Sequence, residues 1–306
     1  TVSGFTTTGA SILSDVEALS HCMLIWRSFT HWIGGMGVLV FILCLLPLTG
    51  GYHMNLMKAE SPGPSVSKLV PKVQSTAKSL YPIYIILTIV EIIFLLIGKM
   101  PLFDTLCLSF GTAGTGGFGI KNDSIASYST YNQVVITVFM ILFGINFNAY
   151  YLLLTKKVMQ AAKNEEVRYY LGIIGLAIVA IAINTREMFT SFGRAFQQAA
   201  FQVGSIITTT GYATTDFNVW PVFSKTILVI LMFVGACAGS TGGGIKVSRL
   251  LILCKSARKE LQLYLHPNAV KKIKMDDKAI PHEVVRATNM FLFVYIMIFV
   301  TSLLII

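Results

Sequence analysis

Long apolar runs, separated by short polar or glycine-rich stretches, organise this chain. Ile33–Leu48, Tyr81–Ile97, Val134–Leu154, Tyr169–Ile183, Val222–Cys254 and Met290–Ile306 are apolar almost throughout. A helix that crosses a bilayer needs about 20 predominantly apolar residues. A soluble helical core would instead show polar faces at helical period, which these runs lack. The pattern predicts six spans and an all-α polytopic membrane protein. Two shorter helical segments, Pro101–Thr112 and Thr190–Ser205, are too short to cross and read as re-entrant.

Composition agrees: 54% of the 306 residues are hydrophobic and 12% charged, against about 25% charged in a soluble domain. The net charge of +10 raises the question of nucleic acid, and its distribution answers it. The segments 50–79, 156–168 and 246–288 hold 18 of the 24 Lys and Arg residues. Arg27, Lys99, Lys121, Arg186, Arg194 and Lys225 stand in the other connections, mostly beside acids such as Asp15, Asp104 and Asp216. An excess of Lys and Arg in every second loop is the positive-inside pattern. The three basic segments are therefore expected in the cytoplasm, and no nucleic-acid partner is implied. Five scattered cysteines and five dispersed histidines form no metal-ligand spacing and read as packing residues. No cluster of His, Asp or Glu stands at membrane depth, which argues against a membrane enzyme. The chain opens inside a motif and stops inside an apolar run, so a fragment is expected.

The stretch "GTAGTGGFGI" (Gly111–Ile120) contains Gly114-Thr115-Gly116-Gly117-Phe118-Gly119, a match to the dinucleotide fingerprint G-x-G-x-x-G. That fold needs a strand before the glycines, a helix after them and an acid about 20 residues on. Here a short helical segment precedes and a polar turn, "KNDSIASYST", follows. The fingerprint fails on both flanks.

Internal repetition gives a better account. "SGFTTTGAS" (Ser3–Ser11), "GTAGTGGFG" (Gly111–Gly119) and "SIITTTGYA" (Ser205–Ala213) align without gaps, placing Thr7, Thr115 and Thr209 together and likewise Gly9, Gly117 and Gly211. Each complete repeat reads as a span, a short helix, the Thr/Gly stretch, then a second span. Irregular backbone at membrane depth is tolerated only where it is buried in protein or lines a watery cavity. Converging loops of this kind present carbonyls that replace an ion's hydration shell. Glycine permits the left-handed φ that turns a carbonyl inward, and threonine is expected to hold its neighbours extended. The short helices would point partly negative C-terminal ends at the cavity. The chemistry selects a cation held by carbonyls over a phosphate held by amides.

A second irregular site interrupts Val222–Cys254. As one straight helix this run would extend about 50 Å, beyond the ~30 Å hydrocarbon core. Gly235, Gly239, Ser240, Thr241, Gly242, Gly243 and Gly244 break it. The alternative is close helix packing through small residues. A phosphate-binding G-x-x-x-x-G-K-[ST] motif is excluded because Ile245 separates Gly244 from Lys246. Among other polar residues, Asn146 and Asn148 read as helix bridges, and Arg27 and His31 as the start of an inner helix. Glu91 has no assigned role.

These stretches resemble the first three selectivity-filter loops of the Trk/Ktr/HKT potassium transporters. "AESPGPSVSK" (59–68), "GACAGSTGGGIKVSR" and "LHPNAV" resemble the membrane (pore) subunit of bacterial Trk systems. The resemblance implies helix–pore-loop–helix units around a pseudo-four-fold cation pore in a bacterial inner membrane. It implies a potassium filter at Thr6, Thr7, Thr8, Gly9, Gly114, Thr115, Gly116, Gly117, Thr208, Thr209, Thr210 and Gly211. It also implies a gate at Gly235 and Gly239–Gly244, with Lys246 as a barrier or anchor at its cytoplasmic edge, or snorkelling to the interface. The units would be 1–50 (repeat one), 81–155 (repeat two), 169–260 (repeat three) and 288–306 (start of repeat four), with cytoplasmic linkers 51–80, 156–168 and 261–287. The first outer helix would precede Thr1 and a fourth filter would follow Ile306. Implied partners are a second copy, in a homodimer, a cytosolic nucleotide-binding regulatory subunit, and membrane lipid; K+ is the transported ion and no cofactor is implied. A sodium-permeable or sodium- or proton-coupled symporter of the same family stays open, as does, remotely, a non-transport membrane enzyme or receptor.

Overall fold

The computed structural model describes residues 1–37, 73–266 and 272–305. The stretch "AESPGPSVSK", most of Ile33–Leu48, the residues after Leu265–His266 in "LHPNAV" and Lys271 lie outside the described residues.

Twelve helices are described: α1 (Val2–Phe5), α2 (His21–Gly35), α3 (Val73–Ile97), α4 (Leu102–Ala113), α5 (Thr130–Phe143), α6 (Phe147–Leu154), α7 (Val158–Ala162), α8 (Glu165–Asn184), α9 (Phe192–Ile207), α10 (Val222–Val234), α11 (Val247–Leu265) and α12 (His282–Ile305). A two-stranded antiparallel hairpin pairs β1 (Lys274–Met275) with β2 (Lys278–Ala279). Its turn residues Asp276 and Asp277 both take positive φ, as a tight two-residue hairpin requires.

The segments Leu80–Ile97, Glu165–Asn184 and His282–Ile305 are long and apolar enough to cross a membrane. The apolar side chains that these helices leave uncovered, among them Ile86, Leu176, Ile183 and Leu304, suit contact with lipid. The helices run beyond the apolar pattern at their polar ends. α8 begins at Glu165 rather than Tyr169, capped by the Asn164 side chain accepting from Val167 N–H at 3.0 Å, with Glu165 and Glu166 at the favourable N-terminal pole. α2 likewise starts at His21, well before Arg27 and Ile33.

One predicted span is not straight. Val134–Leu154 divides into α5 and α6, which meet at 89°. The reason is local: Gly144 ends α5, and Asn146 starts α6 by accepting the Asn148 N–H at 2.9 Å. An Asx cap at a glycine outweighs the apolar run around it.

The packing repeats itself. α4 lies among α2, α3 and α5, and α9 lies among α5, α8 and α10. These two short helices therefore each sit inside their own pair of spans and against the inner helix of the preceding repeat. Among the described residues two large cores form, one around Tyr84, Leu108, Ile136 and Phe143, the other around Tyr170, Val203, Leu228 and Val247, with a small third at Leu24, Cys107 and Ile120.

Candidate functional site

The three short helices end at equivalent positions. α1 stops at Phe5, α4 at Ala113 and α9 at Ile207, so Thr6, Gly114 and Thr208 each open an irregular stretch. The next residue turns left-handed in every case: φ is 51° at Thr7, 50° at Thr115 and 59° at Thr209. Two residues later φ is again positive, 73° at Gly9, 77° at Gly117 and 86° at Gly211. The gapless alignment thus matches residues of like backbone conformation. The residues just before the central threonines are not extended, contrary to expectation: ψ is 0° at Thr6, −8° at Gly114 and −4° at Thr208. A β-branched residue at φ near 50° is strained and holds only where its surroundings impose it.

What imposes it is a shared set of hydrogen bonds. Thr7 N–H reaches Gly4 O, Thr115 N–H reaches Thr112 O and Thr209 N–H reaches Ile206 O, at 3.0 to 3.1 Å. Ser3 Oγ donates to Ala10 O at 2.7 Å, and Ser205 Oγ donates to Tyr212 O at 2.6 Å. The second repeat has Gly111 where the others have serine. There the Tyr212 hydroxyl, from the third repeat, occupies the space and lies 3.2 Å from Leu108 O and 3.4 Å from Phe118 O. Thr6 and Thr8 pair through their hydroxyls at 2.8 Å, as do Thr208 and Thr210.

The loops adjoin in sequence order. A side chain at Gly9 would run into the carbonyl of Gly116, and one at Gly117 into the carbonyl of Thr210. Gly211 has nothing within 4 Å of the corresponding position. Behind the second loop, the His31 ring stacks on Phe118 at 4.0 Å and the Arg27 guanidinium lies 4.3 Å from the same ring. Arg27 and His31 therefore lie within α2 and against a neighbouring repeat, not at a helix start. Asp15 accepts from the Asn122 amide at 2.8 Å, and that hydrogen bond holds its carboxyl below the ordinary carboxylate range. Glu91 is fully buried on α3.

The glycine-rich stretch is irregular from Gly235 to Lys246, with positive φ at Gly235, Gly239, Gly244 and Lys246. Its two ends are joined: Ala236 N–H donates to Gly243 O, Ile245 N–H to Phe233 O, Lys246 N–H to Val234 O and Val247 N–H to Ala236 O. The chain thus leaves and re-enters at one place, and the residues between form a loop aimed sideways. That loop meets the third Thr/Gly stretch. Gly243 N–H donates to Thr209 Oγ1 at 2.7 Å, and a side chain at Gly242 would come within 2.9 Å of Thr208 O. It also meets the bend between α5 and α6, where Cys237 N–H donates to Gly144 O at 3.0 Å and Phe147 N–H to Gly239 O at 2.9 Å. Thr241 Oγ1 donates to Phe143 O at 3.3 Å, and Ser240 Oγ to Cys237 O at 2.7 Å.

Lys246 does not snorkel. Its ammonium folds back to donate to Gly242 O inside the loop, and the residue is buried. Glu166 and Asn146, both outside the predicted set, meet at this site. Glu166 accepts from Ala238 and Ser248 N–H groups, and Asn146 donates from Nδ2 to Glu166 Oε2 at 3.4 Å. Asn146 thus serves as a bridge, as its sequence context suggested. Glu166 gave no signal, since an acid in "KNEEVRYY" reads as an ordinary helix start.

A family model described as "TrkH: Cation transport protein" matches residues 1–186 and 169–306. The Trk system potassium uptake protein TrkH of Salmonella typhimurium is 35% identical over 307 residues, covering 99% of this chain and 64% of its own length. Its counterpart in Vibrio parahaemolyticus is 37% identical over 310 residues with the same coverage. The crystal structure of the potassium transporter TrkH from Vibrio parahaemolyticus superposes with a TM-score of 0.85 at 33% identity, covering 99% of this chain and 63% of that one. The chain therefore spans 64% of the length of these curated relatives.

Proposed function

From the premise that the chain belongs to the TrkH family of cation transport proteins, we propose that it forms the pore of a potassium uptake system in a bacterial inner membrane. The observation that carries this reading is the common backbone of the three loops, left-handed at Thr7, Thr115 and Thr209 and again at Gly9, Gly117 and Gly211. In such a stretch the carbonyls of Thr6–Gly9, Gly114–Gly117 and Thr208–Gly211 supply oxygen to a dehydrated cation, K+, which is cargo rather than cofactor. The loops start at the C-terminal ends of α1, α4 and α9, whose carbonyl poles favour positive charge. The names of the similar proteins, potassium uptake proteins, support potassium as the ion.

The loop at Gly235–Lys246 acts as the gate. Its contacts with Thr208 and Thr209 of the third Thr/Gly stretch support this reading, and irregular backbone held by scattered hydrogen bonds opens more easily than a helix. The working form is a homodimer that docks a cytosolic nucleotide-binding regulatory subunit on its basic cytoplasmic segments, with Arg258 exposed and Lys259 half-buried on α11. Charge reversal at Arg258, Lys259, Lys271 and Lys272 should weaken that docking in a pull-down assay; undiminished capture would place the contact elsewhere.

The gate reading is tested by deleting Gly239–Gly244 in the native-length protein. Potassium flux into proteoliposomes, at equal amounts of folded wild-type and deleted protein, should rise, while preference over sodium is retained. A deletion that folds and conducts no faster than wild type would remove the gate from this loop. If the glycines serve only helix packing, expression should fall and flux should not rise.

A further inference from the structure

One carboxylate fastens the glycine-rich loop at both of its joined ends. Glu166 Oε1 accepts from Ala238 N–H at 2.6 Å, just after the chain leaves α10, and from Ser248 N–H at 3.1 Å, just after it enters α11. The second oxygen, Oε2, accepts from Asn146 Nδ2 at 3.4 Å at the bend between α5 and α6. Glu166 is 3% exposed and reaches the loop from a separate helix, α8. It therefore ties α8, the loop and the bent inner helix of the second repeat at a single point.

The residues beside it face the cytoplasmic hairpin. Asp276, in the β1–β2 turn, accepts from Glu165 N–H at 2.8 Å and from Asn164 Nδ2 at 3.4 Å. The Lys255 ammonium on α11 pairs with the Glu165 carboxylate and donates to Lys274 O on β1 at 2.8 Å. Three consecutive residues, Asn164, Glu165 and Glu166, thus connect the hairpin to the loop over the width of one helix end. Hydrogen bonds to an ionised carboxylate are short and strong, and a buried carboxylate that loses its donors is costly, so the tie is either made or broken as a unit.

We propose that Glu166 is the latch that holds the loop closed, and that the hairpin Lys274–Ala279 is the handle through which a cytoplasmic event releases it. This rests on the gate reading above. Glu166 is a positioning residue: it touches the loop, not the ion. A pull on the hairpin shifts Asn164 and Glu165, turns the first turn of α8 and withdraws the carboxylate from Ala238 and Ser248. The two loop ends then lose their shared acceptor together.

Cys237 gives a local readout, because it is fully buried at the start of the loop and its thiol is free. Cys107, also buried and free but on α4, reports general loosening. In the native-length protein in proteoliposomes, labelling of each cysteine by a small maleimide is read by peptide mass spectrometry beside potassium flux. Glu166→Ala should raise Cys237 labelling and flux by about tenfold, as expected for losing ~1.4 kcal/mol of a charge-assisted tie, with Cys107 unchanged. Glu166→Gln, which keeps the volume and one acceptor oxygen, should fall between Glu166→Ala and wild type, and it carries the test if the alanine variant does not fold. Asp276→Ala should move both readouts the same way by less.

Unchanged Cys237 labelling and flux in Glu166→Ala, alongside faster flux in the Gly239–Gly244 deletion, would overturn the latch and keep the gate. Cys237 labelling that rises while neither variant conducts faster would keep the latch on the loop and overturn the gate. Equal rises at Cys237 and Cys107 would reduce Glu166 to a general structural role and overturn the proposal. A silent Asp276→Ala beside an active Glu166→Ala would overturn the handle.

Discussion

Two glycines at equivalent positions separate backbone strain from crowding. Gly117 and Gly211 both need positive φ, yet only Gly117 lies against a neighbouring carbonyl, that of Thr210. A serine at Gly211 meets the strain alone, roughly 1–2 kcal/mol for a residue forced left-handed; at Gly117 it meets strain and collision together. Gly117→Ser should therefore lose potassium preference over sodium more completely than Gly211→Ser, which should itself be less selective than wild type. Competition of sodium with rubidium uptake measures both, and unaltered preference in the two variants would take these glycines out of the site. The Tyr212 hydroxyl makes the same point from the other side. It stands where Ser3 and Ser205 stand in the other loops, so a missing hydroxyl in one repeat is supplied by the next. No reading of a single repeat could show that, because the substitute lies 101 residues from Gly111 in sequence.

At the scale of elements, the bend between α5 and α6 links the second repeat to the loop. Asn146 both caps α6 and donates to Glu166. Removing a cap of this kind costs about 1 kcal/mol. Asn146→Ala should lower the melting temperature in detergent by about 2 °C, given the usual scaling for chains of a few hundred residues. Asn146→Asp, which keeps the capping oxygen but brings a second charge to Glu166, should not recover wild-type stability; full recovery would show that the cap alone matters. The apolar runs, the Thr/Gly repeats and the glycine break were legible because each is a periodic or compositional signal within a short window. The bend was less so, although Gly144 and Asn146 carry it, because a continuous apolar run outweighs two residues in any windowed reading. Glu166 was invisible, since its partners Ala238 and Ser248 lie 72 and 82 residues away and contribute backbone amides, which leave no mark on sequence. For Lys246 the sequence left a barrier or anchor and snorkelling both open, because only burial and a carbonyl at hand turn the ammonium into the loop rather than to the interface.

Across the whole molecule, the repeats explain both the packing and the proposed function. The short helices α4 and α9 are each wedged between their own spans and the inner helix of the repeat before, and the three Thr/Gly stretches lie side by side. The strained threonines at φ near 50° to 59° are held by hydrogen bonds that recur within each loop, and so the same strained backbone is repeated three times. The central claim is that the converging carbonyls hold potassium. Thallium substitutes for potassium and scatters anomalously, so crystals of the native-length protein grown in thallium test it directly. An anomalous peak in contact with carbonyl oxygens of Thr7 and Thr8, Thr115 and Gly116, and Thr209 and Thr210 is the expected result. Thallium bound elsewhere in the molecule, with no peak between these loops, would contradict the account.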